Sequence, residues 1–250
     1  MVFNEQKNRG VLFGDGVFET MRVGKRGVWE EGAHVQRLTK ALSFFGLKVD
    51  LKKIIQEISA LRFEETCLVR LTVIRSGGPF SIQEQSRSEV YWSKRPLLVS
   101  TRAPRMIGLS GLYQPGDVLH EFKTTSFLRS VHCRMRSEDL GYDVGIMLGG
   151  EGEVGESATA NIWAVFDDHV VTPTASGVLA GIARGSILRR SLGELPIFVR
   201  PLKVDELFDA KEIALSSVGG LVSARSFCFQ DRDIELESNW APAVAEVLFE

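Results

Sequence analysis

Strand-like and helix-like segments follow one another along the whole chain, and this alternation constrains the fold most. In "CLVRLTVIRSGG" (67–78), two sets of side chains alternate before a glycine turn, which is typical of a β-strand. In "EGAHVQRLTKALSFF" (31–45), apolar residues instead recur at helical spacing. Several strand-like segments follow one another as hairpins, as in "ANIWAVFDDHVVTP" (160–173). The sequence therefore predicts a mixed α/β fold rather than a purely parallel sheet.

The chain is long enough for two moderate domains. Its 250 residues can bury a sizeable core, and the loosest stretch in the middle is "RMIGLSGLYQPGD" (105–117). We therefore predict a smaller N-terminal α/β domain at residues 1–104, a linker at 105–112 and a larger C-terminal α/β domain at 113–250. A cleft between two such domains is where a small molecule is expected to bind.

Composition excludes several classes of function. The formal net charge is −2, which gives no basic surface for nucleic acid, and no apolar run reaches the length of a membrane span. The cysteines Cys67, Cys133 and Cys228 form no CxxC pair, and the histidines are scattered, so we expect no metal. An odd number of cysteines without a disulfide pattern favours a reducing, cytoplasmic location.

Four polar signals stand out against this background. Lys123 opens "KTTSFLRS" at the start of a segment, 123–138, that we expect to be helical, and Arg37 lies beside the apolar stripe of the 31–45 helix. Glu156 precedes a run of small residues in "EVGESATAN". Gly181 precedes another predicted helix, whose start offers free backbone N–H groups and a positive dipole end to an anion.

Each signal alone also has an ordinary interpretation. Lys123 could be a surface lysine, Arg37 could extend its head group to solvent, and Glu156 could be a solvated loop residue. The turn "GDGVFET", with Asp15 between two glycines, lacks the spacing of a dinucleotide-binding loop and favours a β-turn before a strand. Taken together, however, an amine, a carboxylate, an arginine and a helix start are the groups that a pyridoxal phosphate enzyme needs.

The sequence resembles the class IV aminotransferases, which are pyridoxal 5′-phosphate enzymes of fold type IV. The resemblance runs from about Arg9 to Val222 and rests on five segments in the same order: "RGVLFGDGVFET", "HVQRL", "KTTSFLRSV", "VGESATANIWAV" and "TPTASGVLAGIAR". It implies two mixed α/β domains with the cofactor in the cleft between them. It also implies a homodimer that acts on a small amine or amino acid.

The resemblance implies a role for each matching residue. Lys123 would form the Schiff base with the cofactor and carry the proton during catalysis, and Glu156 would pair with the pyridine nitrogen. Arg37 and the backbone N–H groups of Ile182 and Ala183 would bind the phosphate. Ser217, in "ALSSVGG", would add a contact to the phosphate or the substrate. Ala183 departs from the family pattern, since most members carry a hydroxyl residue there.

Substrate residues are less clearly marked. D-amino acid enzymes of the family carry a tyrosine where this chain has Phe18, and branched-chain enzymes carry a tyrosine where it has Phe127 and Leu128. Phe18 and Thr20 are therefore candidate substrate contacts, and Arg75 or Arg70 could bind a substrate carboxylate.

These features favour 4-amino-4-deoxychorismate lyase, an enzyme of folate biosynthesis, as the branch that the chain resembles. A class IV aminotransferase of branched-chain or D-amino acid type, acting on a 2-oxo acid, is the alternative. A cofactor-binding protein without turnover is a third.

Overall fold

The computed structural model describes residues 9–77, 87–98, 102–174 and 176–250. These residues form two compact units. The first extends to Leu97 and includes Phe122–Phe127, and the second comprises Leu98–Glu121 and Leu128–Glu250. Within the described residues, no helix is long and apolar enough to cross a membrane.

The first unit is an antiparallel sheet with helices packed on one face. Its strands, in the sheet order β2–β1–β3–β4, are β1 (Gly16–Gly24), β2 (Gly27–Val28), β3 (Cys67–Ser76) and β4 (Arg87–Pro96). Its helices are α1 (Arg9–Phe13), α2 (Glu31–Phe44) and α3 (Leu51–Ala60). Buried residues of β1 and β3, such as Met21 and Leu71, pack against Leu38 and Ile58 of the helices. The predicted strand at 67–76 and the predicted helix from residue 31 are thus both present.

The second unit contains two five-stranded sheets. One has the order β10–β9–β8–β11–β12 and the other β14–β13–β5–β6–β7. The strands are β5 (Arg105–Ser110), β6 (Val144–Leu148), β7 (Val154–Ser157), β8 (Asn161–Val165), β9 (Val170–Thr172), β10 (Ile197–Val199), β11 (Glu212–Ser217), β12 (Gly220–Ser223), β13 (Ser226–Phe229) and β14 (Arg232–Glu235). The helices are α4 (Leu128–Asp139), α5 (Ile182–Arg190) and α6 (Trp240–Leu248). Parallel and antiparallel pairs occur together, which confirms the mixed α/β class.

The predicted linker at 105–112 differs from the structure, because residues 105–110 form β5 inside a sheet. Met106 is fully buried, and β5 pairs in parallel with both β6 and β13. Gly108 lies within the predicted linker, and a side chain there would lie 2.8 Å from both Leu148 and Phe229. This glycine permits close packing within the sheet rather than a flexible turn.

The segment 123–138 also differs from the predicted helix, since α4 begins only at Leu128. Residues 123–125 are not helical, and Thr124 forms an isolated bridge with Val17 of β1. This pairing assigns Lys123 to the first unit, although we predicted it within a C-terminal domain beginning at residue 113.

Candidate active site

The backbone around Lys123 is fixed by β1. The N–H of Phe18 donates to the carbonyl of Lys123, and the N–H of Thr125 donates to the carbonyl of Gly16, each with an N···O distance of 2.8 Å. The Lys123 Nζ lies 4.5 Å from the centroid of the Phe18 ring, and Phe18 itself is 3% exposed. The amine of Lys123 is therefore held against the face of an apolar ring.

A second cation lies over the same ring. Arg70 stands opposite Thr20 in the register of β3 and β1, and its Cζ is 3.5 Å from the centroid of Phe18. Its Nε donates to Thr72 Oγ1 at 3.1 Å. Burial lowers the pKa of the Arg70 guanidinium, and no ion pair to it occurs within the described residues. A half-buried cation that lacks an acidic partner is well suited to bind a ligand anion.

Arg75, the other arginine that we considered for a substrate carboxylate, has a different environment. It is 3% exposed, and its Nε donates to Asp15 at 3.1 Å. Its two terminal nitrogens donate to the carbonyls of Gly46 and Phe45. All three guanidinium nitrogens are thus already bonded, one to Asp15 and two to carbonyls just after α2, so the geometry favours Arg70 over Arg75 as the anion-binding arginine.

Arg37 belongs to a buried cluster with Glu19 and His34. Glu19 is on the helix-facing side of β1, while His34 and Arg37 are three residues apart on α2 and therefore share one face of that helix. The Nε and one terminal nitrogen of Arg37 each donate to a different oxygen of Glu19, both at 2.7 Å. The Nδ1 of His34 lies 2.8 Å from the Glu19 Oε2.

Electrostatics keep this cluster in one protonation state. Burial alone would raise the pKa of the Glu19 carboxyl, but the Arg37 charge and the bonds from Arg37 and His34 lower it to about 2. Burial lowers the pKa of His34 despite its bond to Glu19. At neutral pH, Glu19 is therefore ionised and His34 is neutral, so the Nδ1 of His34 carries the proton that it donates to Glu19.

In the second unit, Glu156 is oriented by its neighbours. It lies in β7, and its Oε2 accepts hydrogen bonds from Asn161 Nδ2 at 3.1 Å and from the Leu179 N–H at 3.3 Å. Asn161 in turn donates to the Leu179 carbonyl at 2.9 Å and is 4% exposed. Glu156 thus has a defined orientation, as a carboxylate that pairs with a cofactor nitrogen would require.

Helix α5 begins at Ile182, with Gly181 as its N-cap. A side chain at Gly181 would lie only 1.9 Å from Asn161 Oδ1, so only glycine fits at this position. No side chain caps this end of α5, and Ile182 and Ala183 lie in its first turn. The first turn of a helix provides unpaired backbone N–H groups and the positive end of the dipole.

Ser217 ends β11, at the turn into β12. Its Oγ accepts a hydrogen bond from the Gly219 N–H at 3.1 Å, while the neighbouring Ser216 accepts one from the buried Trp163 at 2.9 Å. The role that the resemblance implied for Ser217 stays a prediction.

Two residues of the buried cluster, Glu19 and His34, were missed from sequence. Glu19 lies in "VFETM" among apolar residues that face the helices, and His34 lies one helical turn before Arg37. A charged residue at a core-facing strand position, matched by a basic residue on a packing helix, was the available signal.

The residues present fit pyridoxal 5′-phosphate by their chemistry. The first unit supplies an amine at Lys123 and an arginine at Arg37, and the second supplies an oriented carboxylate at Glu156 and a helix start that only a glycine can precede. An aldehyde, a phosphate and a ring nitrogen are the groups that such residues can bind.

Comparison with known proteins identifies the family. The family model described as amino-transferase class IV matches residues 16–227. A "Probable branched-chain-amino-acid aminotransferase" of Thermotoga maritima is 28% identical over 221 residues, which are 84% of this chain and 76% of that protein. The chain belongs to the class IV aminotransferases.

Solved structures share the fold. The crystal structure of 4-amino-4-deoxychorismate lyase from Pseudomonas aeruginosa has a TM-score of 0.81 at 23% identity, covering 99% of this chain and 95% of that one. The PLP-bound form of a hypothetical aminotransferase from Mycobacterium tuberculosis has a TM-score of 0.82 at 20% identity, covering 99% and 92%. These similarities confirm the predicted fold-type IV architecture.

Membership of this family also confirms the predicted cofactor. Class IV aminotransferases are dependent on pyridoxal 5′-phosphate, so the chain is a pyridoxal-phosphate-dependent enzyme that acts on an amine or amino acid.

Proposed function

We propose that the protein is a 4-amino-4-deoxychorismate lyase, which eliminates pyruvate from its substrate to form 4-aminobenzoate. The observation that carries this proposal is the arrangement around Phe18, whose ring lies beside both the Lys123 amine and the Arg70 guanidinium. Phe127 meets this ring edge-on, with centroids 5.7 Å apart. A proton acceptor, a cation and two apolar rings suit a cyclic substrate that carries carboxylates.

Lys123 acts on the carbon that bears the substrate nitrogen. Its Nζ would hold the cofactor and, when free, would accept the proton from that carbon. Bound pyridoxal 5′-phosphate would supply an electron sink for the pair left on the carbon. The C–O bond on the neighbouring carbon breaks, and the ring becomes aromatic. The three-carbon group leaves as enolpyruvate, which becomes pyruvate by taking up one proton, equal in number to the one that Lys123 removed.

The other predicted residues orient these reactants. Glu156 pairs with the pyridine nitrogen, and its bonds to Asn161 and the Leu179 N–H support that orientation. Arg37 and the first N–H groups of α5 bind the phosphate, with Ser217 as an additional contact. Arg70 binds a substrate carboxylate, and Thr20 lies opposite it in the sheet.

Amino transfer to a 2-oxo acid is the second candidate. The Thermotoga maritima relative supports it, because that protein carries the name of a branched-chain-amino-acid aminotransferase. The two reactions share proton removal by Lys123 and differ in the fate of the electron pair left on the carbon. Phe18, Phe127 and Leu128 favour the lyase, since they replace the tyrosines that mark D-amino acid and branched-chain enzymes.

Product analysis separates the two reactions. The holoenzyme is incubated with 4-amino-4-deoxychorismate, and 4-aminobenzoate and pyruvate are quantified. In parallel, L- and D-amino acids are tested with 2-oxoglutarate. We expect 4-aminobenzoate and pyruvate in equal amounts. Formation of 2-oxo acids from the amino acid panel, without 4-aminobenzoate, would overturn the lyase assignment.

A variant tests the anion site in the same assay. Arg70→Gln is expected to raise KM about tenfold, because a charge-assisted hydrogen bond to the carboxylate is lost. The matched control is Arg134→Gln, which removes an exposed arginine paired with Glu138. An unchanged KM in Arg70→Gln would exclude Arg70 from the anion site.

A cytoplasmic homodimer in folate biosynthesis belongs to the same proposal, and light scattering tests the dimer by its mass.

A further inference from the structure

The Glu19–His34–Arg37 cluster is more elaborate than a helix arginine requires. Glu19 is 2% exposed and His34 is fully buried, whereas the Arg37 side chain is 13% exposed. A carboxylate at such depth is costly unless its partners satisfy it, and a surface arginine needs no buried partner. We therefore expect the cluster to do more than neutralise the charge of Arg37.

Two parallel bonds to Glu19 fix the plane of the Arg37 guanidinium. Its Nε and one terminal nitrogen donate to the two oxygens of the same carboxylate, a geometry that leaves little rotational freedom. His34 donates to one of those oxygens and so holds the carboxylate itself. The orientation of the Arg37 guanidinium is therefore fixed by Glu19 on β1 and His34 on α2.

We propose that Glu19 is a positioning residue, which with His34 holds Arg37 in the orientation that binds the cofactor phosphate. This proposal rests on the role given to Arg37 in the proposed function. Glu19 acts through Arg37 and touches neither cofactor nor substrate. The charge of Arg37 alone is then insufficient, because a cation that swings freely loses the benefit of preorganised geometry.

Two ligands that differ only in the phosphate isolate this effect. Dissociation constants of the apo-protein are measured for pyridoxal 5′-phosphate and for pyridoxal, which reacts with the same lysine but lacks the phosphate. The dissociation constant for pyridoxal divided by that for pyridoxal 5′-phosphate reports how much the phosphate contributes to binding. Glu19→Gln is expected to reduce this ratio about tenfold, as for one charge-assisted bond, while pyridoxal binding changes less than twofold.

Further variants distinguish positioning from other roles. Arg37→Lys keeps a positive charge but cannot form the paired bonds to Glu19. We therefore expect this variant to reduce the ratio of dissociation constants about as much as Glu19→Gln does. The double variant Glu19→Gln with Arg37→Ala should be no worse than Arg37→Ala alone, because both act through one group. Glu138→Gln, the same chemical change in an exposed ion pair, is the control and should leave the ratio unchanged.

Each contrary result has a distinct meaning. If Glu19→Gln weakens both ligands equally, or leaves the ratio intact, the positioning role is wrong. If Arg37→Lys leaves the ratio of dissociation constants unchanged, the positioning role of Glu19 is also wrong. This measurement tests the role even if the Glu19→Gln variant does not fold. If Arg37→Ala leaves the ratio unchanged, it is instead the phosphate role of Arg37 in the proposed function that fails.

Discussion

Arg70 and Arg75 show how a residue's partners decide its role. Both lie on β3, five positions apart, so they project from opposite faces of the sheet. Arg75 is surrounded by Asp15 and two carbonyls, whereas Arg70 lies over the ring of Phe18. The sequence offered both as candidates, because the partners that distinguish them come from β1 and from the end of α2.

The stability of the first unit should depend on the ionisation of Glu19. Its pKa is lowered from 4.5 to about 2, so its stabilising contribution is complete above the unfolded value of 4.5 and is lost as the pH falls towards 2. A shift of this size corresponds to roughly 3 kcal/mol. His34, whose pKa is also lowered, adds to the loss below its ordinary value of 6.5.

Acid denaturation tests this dependence. The free energy of unfolding of the wild type and of Glu19→Gln is measured between pH 7 and 2. We expect the advantage of the wild type to shrink as the pH falls below about 4.5, because protonation removes the same charge that the substitution removes. An advantage that stays constant down to pH 2 would contradict the assignment.

At the scale of elements, helix α6 depends on a carboxylate from a distant strand. Glu212 of β11 is 1% exposed and accepts hydrogen bonds from the N–H groups of Asn239, Trp240 and Ala241 at 2.7–2.9 Å. It also accepts one from the hydroxyl of Ser223 at 2.8 Å. A negative charge at this end of a helix satisfies unpaired donors and complements the helix dipole.

Removing the Glu212 carboxylate should destabilise the N-terminal end of α6. Glu212→Gln is expected to destabilise the protein by about 2 kcal/mol, because the amide loses the charge and one acceptor oxygen. Thermal unfolding of the apo-protein measures the effect. Glu237→Gln, whose exposed carboxylate accepts from the Asn239 side chain, is the matched control with a change below about 0.5 kcal/mol. Equal losses in the two variants would rule out the capping role.

The elements with strong local signals were predictable, and those defined by long-range pairing were not. Asp50 is of a residue type that typically caps helices, and its side chain does cap α3 by accepting from the Lys53 N–H at 3.0 Å. The hairpin predicted within residues 160–173 is also present, as β8 and β9. By contrast, the bridge beside Lys123 and strand β5 form because of partners that are distant in sequence, such as Val17 and Val144. Local propensity carries no information about such partners.

At the scale of the whole molecule, the candidate residues divide between the two units. The first carries Lys123, Arg37 and Arg70, and the second carries Glu156 and the start of α5. The order of the motifs along the chain was sufficient to predict the family and the cofactor. It could not reveal the support given by Glu19 and His34, which exists only once β1 and α2 pack together.

The identity of the lysine that holds the cofactor tests the central claim most directly. The holoenzyme is treated with sodium borohydride, which reduces the link between cofactor and lysine to a stable bond, and its peptides are then analysed by mass spectrometry. We predict that the added pyridoxyl phosphate mass lies on Lys123. The same mass on a different lysine, or on none, would contradict the account.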